Sequence, residues 1–350
     1  MPSEMIAFVV ALIASLSLTV PVRQLALHLG LVDQPGPRKV HLTPIPLLGG
    51  LAIYLGFVLA LIVTTPGPTW TQILGILAGA TLVALAGFLD DSGMLHHQVK
   101  LFAAMPLAAV ILLASGIRAQ VFSGFVAGPR GAFLDSCLTI LWVVGITAAF
   151  SILDHMDGLC AGIAAIAAAF FLLFAMLSGQ VLVSTLAAAT LGAALGFLRW
   201  NFKPAKIFMG DGGAMFLGFL MAALGLKLRL PQIKSSADWL IPILILGAPI
   251  FDTTLISISR SRRGLLPFTS PGKDHAAHRL ANLGLGHKGA VLMLYGLAVI
   301  FGALALLVRY VPGPENYGVV AVIAALGLLG VLFFEKAPYE RQRKPERPRA

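Results

Sequence analysis

Apolar residues run through this chain in blocks of about twenty, separated by short breaks that collect nearly all of its charge. A membrane-spanning helix needs roughly 20 mostly apolar residues. Segments of that kind lie at 4–28, 46–65, 72–89, 100–117, 136–153, 159–177, 181–199, 212–228, 239–258, 289–309 and 317–334. The first is too long for the core of a signal peptide, and no convincing small-residue cleavage site follows it, so it counts as a helix. The pattern predicts an all-α polytopic integral membrane protein of about eleven transmembrane helices. It forms one transmembrane domain over 1–334, with a basic tail over 335–350. The tail is rich in Pro and Arg, is expected to be disordered, and suits electrostatic anchoring on anionic lipid. No internal repeat and no soluble domain is visible.

Composition agrees with the pattern. The 350 residues are 58% hydrophobic and only 11% charged, with a mean hydropathy of +0.91. A soluble domain needs more charge to cover its surface. The net charge of +10 would fit a nucleic-acid binder, but the positive-inside rule explains it better. With the N-terminus outside, the inner loops and tail hold nineteen Lys and Arg, and the outer loops hold six. An odd number of helices then leaves the C-terminus in the cytoplasm. Membrane lipid is the expected partner, and nucleic acid is not. Cys137 and Cys160 fall near opposite ends of adjacent helices, so neither a disulfide nor a metal–thiolate site is expected.

The acids carry the next clue. All five glutamates lie near a terminus or in an outer loop. Asp135 and Asp238 fall at outer helix ends and read as interfacial. The other eight aspartates, Asp33, Asp90, Asp91, Asp154, Asp157, Asp211, Asp252 and Asp274, map to inner loops or inner helix ends. An aspartate at a membrane boundary costs free energy. Several from separate segments on one side therefore suggest a shared polar cavity rather than scattered loop charges. Short carboxylates supply oxygen ligands for a hard cation, and Mg²⁺ typically takes one or two of them along with waters and substrate phosphates.

Around these acids lie recognisable segments. The first inner loop, DQPGPRKVHLTPIPLLGG, offers Arg38, Lys39 and His41 as cationic donors, or is a solvated basic loop. GFLDDSGML ends a helix with Asp90 beside Asp91, pointing about 100° apart. His96, His97 and Lys100 follow, the histidines reading as interfacial. In SILDHMDGLCAG, Asp154 and Asp157 are three apart and share a helical face. NFKPAKIFMGDGGA, which includes Asn201, sets Asp211 between glycines at the start of an apolar helix. A helix N-terminus there suits an anion such as phosphate. Asp252 lies eight residues before Arg260, roughly 12 Å deeper along a helix, and is either functional or a structural hydrogen-bond acceptor. SPGKDHAAHRLANLGLGHKG carries His275 and His278, with Asp274 and Arg279 beside them. Zinc would need three or four protein ligands. The local sequence lacks the rest, so diphosphate or sugar binding is the better reading.

Taken in order from about residue 33 to 290, these segments resemble the polyprenyl-phosphate N-acetylhexosamine-1-phosphate transferases. That superfamily also contains phospho-N-acetylmuramoyl-pentapeptide transferase. The D-x-P-x-x-R-K-x-H…P-x-x-G-G entry matches Asp33 to Gly50, D-D matches Asp90 and Asp91, and F-M-G-D-x-G matches 208–213. N-x-x-D-G-x-D-G-L matches 151–159, but with Ser151 for asparagine and His155 for the first glycine. Ala214 stands for a frequent serine. The family's H-x-H-H reads His275, Ala276, Ala277, His278.

The resemblance implies transfer of a sugar-1-phosphate, N-acetylglucosamine-1-phosphate above all, from a UDP-sugar to undecaprenyl phosphate. It also implies a bacterial plasma membrane location, a cytoplasmic active site, Mg²⁺ (or Mn²⁺) as cofactor and a homodimer as an option. On this basis Asp211 binds the metal with Asp154, and Asp90 orients or deprotonates the lipid phosphate with Asp91 beside it. Asp154, Asp157 and Asn201 support the nucleotide side. Lys39, His41, Lys100, His275, His278 and Arg279 meet phosphate charge. Two other classes compete. A transporter would place acids near mid-membrane, often in repeated halves. A CDP-alcohol phosphatidyltransferase is suggested by DHMDG, but lacks its downstream Arg.

Overall fold

The computed structural model describes residues 2–35, 43–64, 70–230, 238–266, 272–311 and 315–339. Its helices are α1 (Ser3–His28), α2 (Gly49–Thr64), α3 (Trp70–Asp91), α4 (His97–Val99), α5 (Met105–Ala114), α6 (Pro129–Leu153), α7 (Leu159–Leu177), α8 (Val181–Asn201), α9 (Gly210–Lys227), α10 (Leu240–Ile245), α11 (Gly247–Arg262), α12 (Ala276–Leu280), α13 (Gly286–Tyr310) and α14 (Glu315–Lys336). Each of the eleven predicted segments is helical. Among the described residues, seven helical stretches are long and apolar enough to cross a membrane. Large apolar side chains such as Ile62, Phe102, Leu141 and Val181 stand on the outside, where lipid rather than water accommodates them. The chain is an all-α polytopic membrane protein.

Proline explains where two predicted helices divide. Pro249 has no N–H for the carbonyl of Ile245, and the segment breaks at Leu246 between α10 and α11. Pro106 likewise cannot donate to Phe102. There the chain widens into a π turn over Lys100–Ala104, in which the Met105 N–H reaches the Lys100 carbonyl. That turn runs directly into α5 and carries Lys100 on its first residue.

The helix α9 is the hub. Nearly all its residues are buried, and α2, α3, α6, α7 and α8 pack around it. Glycines let the backbones approach. A Cβ on Gly87 of α3 would lie 2.5 Å from Gly212 Cα. One on Gly50 of α2 would collide with the backbone of Gly213. Ahead of α2, a short antiparallel pair, β1 (Val32–Asp33) and β2 (Ile45–Pro46), sets the chain beside 207–209. There Phe208 N–H donates to Pro46 O at 2.8 Å, Gly49 N–H to Phe208 O at 2.9 Å and Gly50 N–H to Met209 O at 2.8 Å.

Asp135 and the first residues of the tail sit in settings the sequence pattern does not show. Asp135 is fully buried rather than interfacial. It accepts N–H bonds from Val121, Phe122 and Ser123 at 3.0, 2.8 and 3.1 Å, tying down the loop before α6. The described part of the basic tail is ordered by contacts: α14 continues to Lys336, and Tyr339 packs its ring 4.1 Å from the Arg279 guanidinium carbon.

Candidate active site

The end of α3, the α6–α7 connection, the start of α9 and the π turn meet at one end of the bundle. Asp211 stands at their centre. Its carboxylate accepts from Ser151 Oγ at 2.8 Å and forms a close ion pair with Lys100 Nζ. The same ammonium reaches Asp90 Oδ2 at 2.7 Å. These side chains are sheltered, with 14% of Lys100, 18% of Asp90 and 25% of Asp211 exposed. The cluster is therefore partly desolvated, with a fraction of each side chain still reachable from outside.

Asp91 has a different task. Its two oxygens accept the N–H groups of Asp211 at 2.9 Å and Gly212 at 3.2 Å. A carboxylate from α3 thus caps the positive end of α9. The sequence suggested that this helix N-terminus faces a substrate phosphate. The protein's own aspartate fills it instead, because the glycine contact between α3 and α9 leaves no room for a ligand there.

Asp154 is the residue that ends α6. Burial, followed by repulsion from Asp211, Asp91 and Asp157, pushes its carboxyl up to about 8. Lys100 pairs with Asp90 and Asp211, while Asp91 and Asp154 lie close enough to Asp211 for mutual repulsion, and Asp154 keeps its proton at neutral pH until a cation displaces it. Short carboxylate oxygens in such a setting fit a hard divalent cation. Asp211, Asp154 and Asp90 are the residues able to hold one, since both Asp91 oxygens are engaged by α9.

The neighbouring residues brace this centre. Gly158 adopts a left-handed conformation, φ +78°, at the start of α7. Its N–H donates to Asn201 Oδ1 at 2.9 Å, while Asn201 Nδ2 donates to Ile207 O at 3.0 Å. Asn201 is 2% exposed and clamps two loops rather than facing a cavity. Asp157 accepts the Ala205 N–H at 3.1 Å, holding the approach to α9.

The histidine loop lies alongside. Asp252, buried on α11, accepts from His275 Nδ1 at 2.8 Å and from the Ala276 N–H at 2.7 Å. The structural reading of Asp252 is thus the one its geometry favours. His275 and His278 both stack on His155, whose part in the cluster the spacing alone did not reveal. The ligating atoms of His155, Asp252 and His275 lie within 4.8 Å of one another. Asp274 leaves the expected acidic cavity altogether. It pairs with Arg260 at 2.8 Å and Arg263 at 2.5 Å. Burial opposes its charge, but the Arg260 and Arg263 hydrogen bonds outweigh that and hold its carboxyl well below the usual range.

Arg279 is not brought to Asp90, Asp154 or Asp211. It is fully buried and donates to Asp274 O at 2.7 Å, Phe334 O at 2.6 Å and Ser259 Oγ at 2.9 Å. It pins the end of α14 to the base of the histidine loop. Lys39 and His41 lie outside the described residues.

Comparison with known proteins gives this arrangement a family. The pattern of glycosyl transferase family 4 matches residues 73–229, from α3 through α9. A Bacillus subtilis protein described as "Probable undecaprenyl-phosphate N-acetylglucosaminyl 1-phosphate transferase" is 38% identical over 314 residues, covering 87% of this chain and 84% of its own. The decaprenyl-phosphate N-acetylglucosaminephosphotransferase of Mycobacterium tuberculosis H37Rv is 33% identical, covering 81% and 78%. The undecaprenyl-phosphate alpha-N-acetylglucosaminyl 1-phosphate transferase of Escherichia coli O157:H7 is 27% identical, covering 82% and 79%. With similarity running through the helices that build the aspartate centre and on along most of its length, the chain belongs to glycosyl transferase family 4.

Proposed function

We propose that this protein transfers N-acetylglucosamine-1-phosphate from a UDP-sugar to undecaprenyl phosphate. An oxygen of the lipid phosphate attacks the sugar-bearing phosphorus of the donor. The diphosphate bond of the nucleotide breaks, UMP leaves, and undecaprenyl-diphospho-N-acetylglucosamine remains. The observation that carries the reading is the cluster in which Lys100 pairs with Asp90 and Asp211, with Asp154 near Asp211, at one membrane end, in a chain whose relatives bear the names of such transferases. The basic bias of the loops on that side supports eleven spans with the site on the cytoplasmic face of a bacterial plasma membrane.

The residues divide the work by position. Asp211 and Asp154 would hold Mg²⁺. When bound, the ion neutralises diphosphate charge and polarises the phosphorus that is attacked. Asp90 meets the lipid phosphate and orients it. Lys100, between Asp90 and Asp211, stabilises charge that develops on the bridging oxygens. Asp91 fixes the start of α9, and with it the Asp211 carboxylate. Ser151 steers one Asp211 oxygen and leaves the other toward Lys100.

The test is an assay of purified protein with undecaprenyl phosphate, Mg²⁺ and a panel of UDP-sugars, scoring UMP and lipid product. UMP release with UDP-N-acetylglucosamine is expected, and Asp211→Asn should abolish it while the protein still inserts and melts normally. Release of CMP from a CDP-alcohol, or transport of a labelled anion without UMP, would overturn the reading. Activity of Asp211→Asn within a few-fold of wild type would remove Asp211 from its role.

A further inference from the structure

Two departures from the family pattern meet in space. One is His155, where a glycine is usual between the paired aspartates. The other is Ala277, where the H-x-H-H loop lacks a histidine. The His155 ring lies 3.9 Å from that of His275 at an interplanar angle of 26°, and 4.8 Å from that of His278 at 23°. An imidazole missing from one loop is thus matched by one arriving from the α6–α7 connection. Ala276 and Ala277 are fully buried.

The orientation of His155 is set by the protein. Its Nδ1 donates to the Ile152 carbonyl at 3.2 Å, which leaves Nε2 as the free nitrogen. That Nε2 and His278 Nδ1 are both buried and without a protein partner. His275 is fixed by Asp252 and needs no such completion. Buried polar nitrogens without partners are costly, and a ligand atom or an ordered water completes them. His155 also follows Asp154 directly, so it joins the carboxylate centre to the histidine loop.

We propose that His155 is a third member of the histidine cluster and a specificity-determining residue for the donor, its Nε2 and His278 Nδ1 binding oxygens of the sugar-phosphate half of the nucleotide sugar. This rests on the transferase function proposed above. A transition metal shared by these imidazoles fits less well. Two rings bound to one tetrahedral zinc at Zn–N of about 2.0–2.1 Å stand with centroids ~5 Å apart. The His155–His275 pair is closer and lies face to face.

The experiment compares wild type, His155→Gly, His155→Gln and His155→Gly/Ala277→His, each purified as the full chain. His155→Gly should raise KM for UDP-N-acetylglucosamine about tenfold, with KM for undecaprenyl phosphate and Tm unchanged. The double variant, which returns an imidazole to the loop, and His155→Gln, which keeps a hydrogen-bonding side chain, should each recover much of the loss. An active wild type with unchanged donor KM in His155→Gly overturns the proposal alone. So does an equal rise in both KM values with a falling Tm and no recovery in the double variant, which would make His155 structural. Stoichiometric zinc in wild type, lost in His155→Gly, overturns it in favour of a metal centre. A wild type that releases no UMP from any UDP-sugar sinks the parent function as well.

Discussion

Replacing Gly87 with alanine tests whether the site depends on how closely α3 approaches α9. The new Cβ would stand 2.5 Å from Gly212 Cα and N and 2.6 Å from the carbonyl carbon of Asp211. All three are backbone atoms, with no flexible side chain to swing aside. An ordinary contact begins at 3.4 Å, so the helices must part by about 1 Å. The Asp91 bonds to α9, now 2.9 and 3.2 Å, would then stretch past hydrogen-bonding range. Overpacking costs about 1–3 kcal/mol, and each charge-assisted bond lost adds about 1.5–3 kcal/mol. Alanine's better helix propensity returns up to ~1 kcal/mol, so the net change is destabilising. The effect on turnover is larger than on stability, because the Asp211 carboxylate moves with its backbone. A displacement of about 1 Å costs on the order of 10²-fold in rate. UMP release and thermal melting in detergent would be measured beside Gly145→Ala, where the added methyl meets nothing within 4 Å. If Gly87→Ala turns over within threefold of wild type, the close approach does not set the geometry of the site.

Further outcomes follow from the charges. Because the Asp154 carboxyl sits at about 8, well above its ordinary value, it contributes stability to metal-free protein that is complete at low pH and lost as pH rises through 8. Melting in EDTA should therefore fall between about pH 5 and 8 and level off above that, and Asp154→Asn should flatten that slope. For the same reason a divalent cation must displace a proton, so Mg²⁺ should bind more tightly by several-fold per pH unit from 6 to 8, measured by titration calorimetry. Asp274→Asn leaves Arg260 and Arg263 without their buried counter-charge and should destabilise by about 3–5 kcal/mol, seen as loss of folded protein on size exclusion. Tyr339→Ala removes the ring over Arg279 and should cost about 0.5–2 kcal/mol, read as a lower Tm with donor KM little changed.

Helices and acids were the legible parts of this chain. Hydrophobic runs located the eleven helical segments because the bilayer imposes both length and composition. The inward bias of aspartates pointed to one polar end, where Asp90, Asp91, Asp154 and Asp211 meet. What spacing could not show was which carboxylates face a ligand. Asp91 and Asp211 look alike in sequence, yet one caps a helix and the other lies open beside Lys100. Asp274 and Arg279 read as site residues because they flank His275 and His278, but their partners, Arg260, Arg263 and Phe334, are distant in sequence. The histidine loop by itself lacks the ligands that zinc needs, and only the fold brings His155 and Asp252 to it. The signal available for His155 was a histidine between two aspartates in a break between apolar helices.

The π turn at Lys100–Ala104 has a consequence for how this protein tolerates insertions and deletions. A π turn holds one residue more than the α turn it replaces. Inserting one further residue into 101–104, where the turn already holds its extra one, would rotate Lys100 by about 100° relative to α5. Its ammonium would then leave Asp90 and Asp211 together, although every side chain of the site remained encoded. A shift of a single codon in a stretch whose Phe102 faces outward should silence the enzyme as completely as removing the lysine itself.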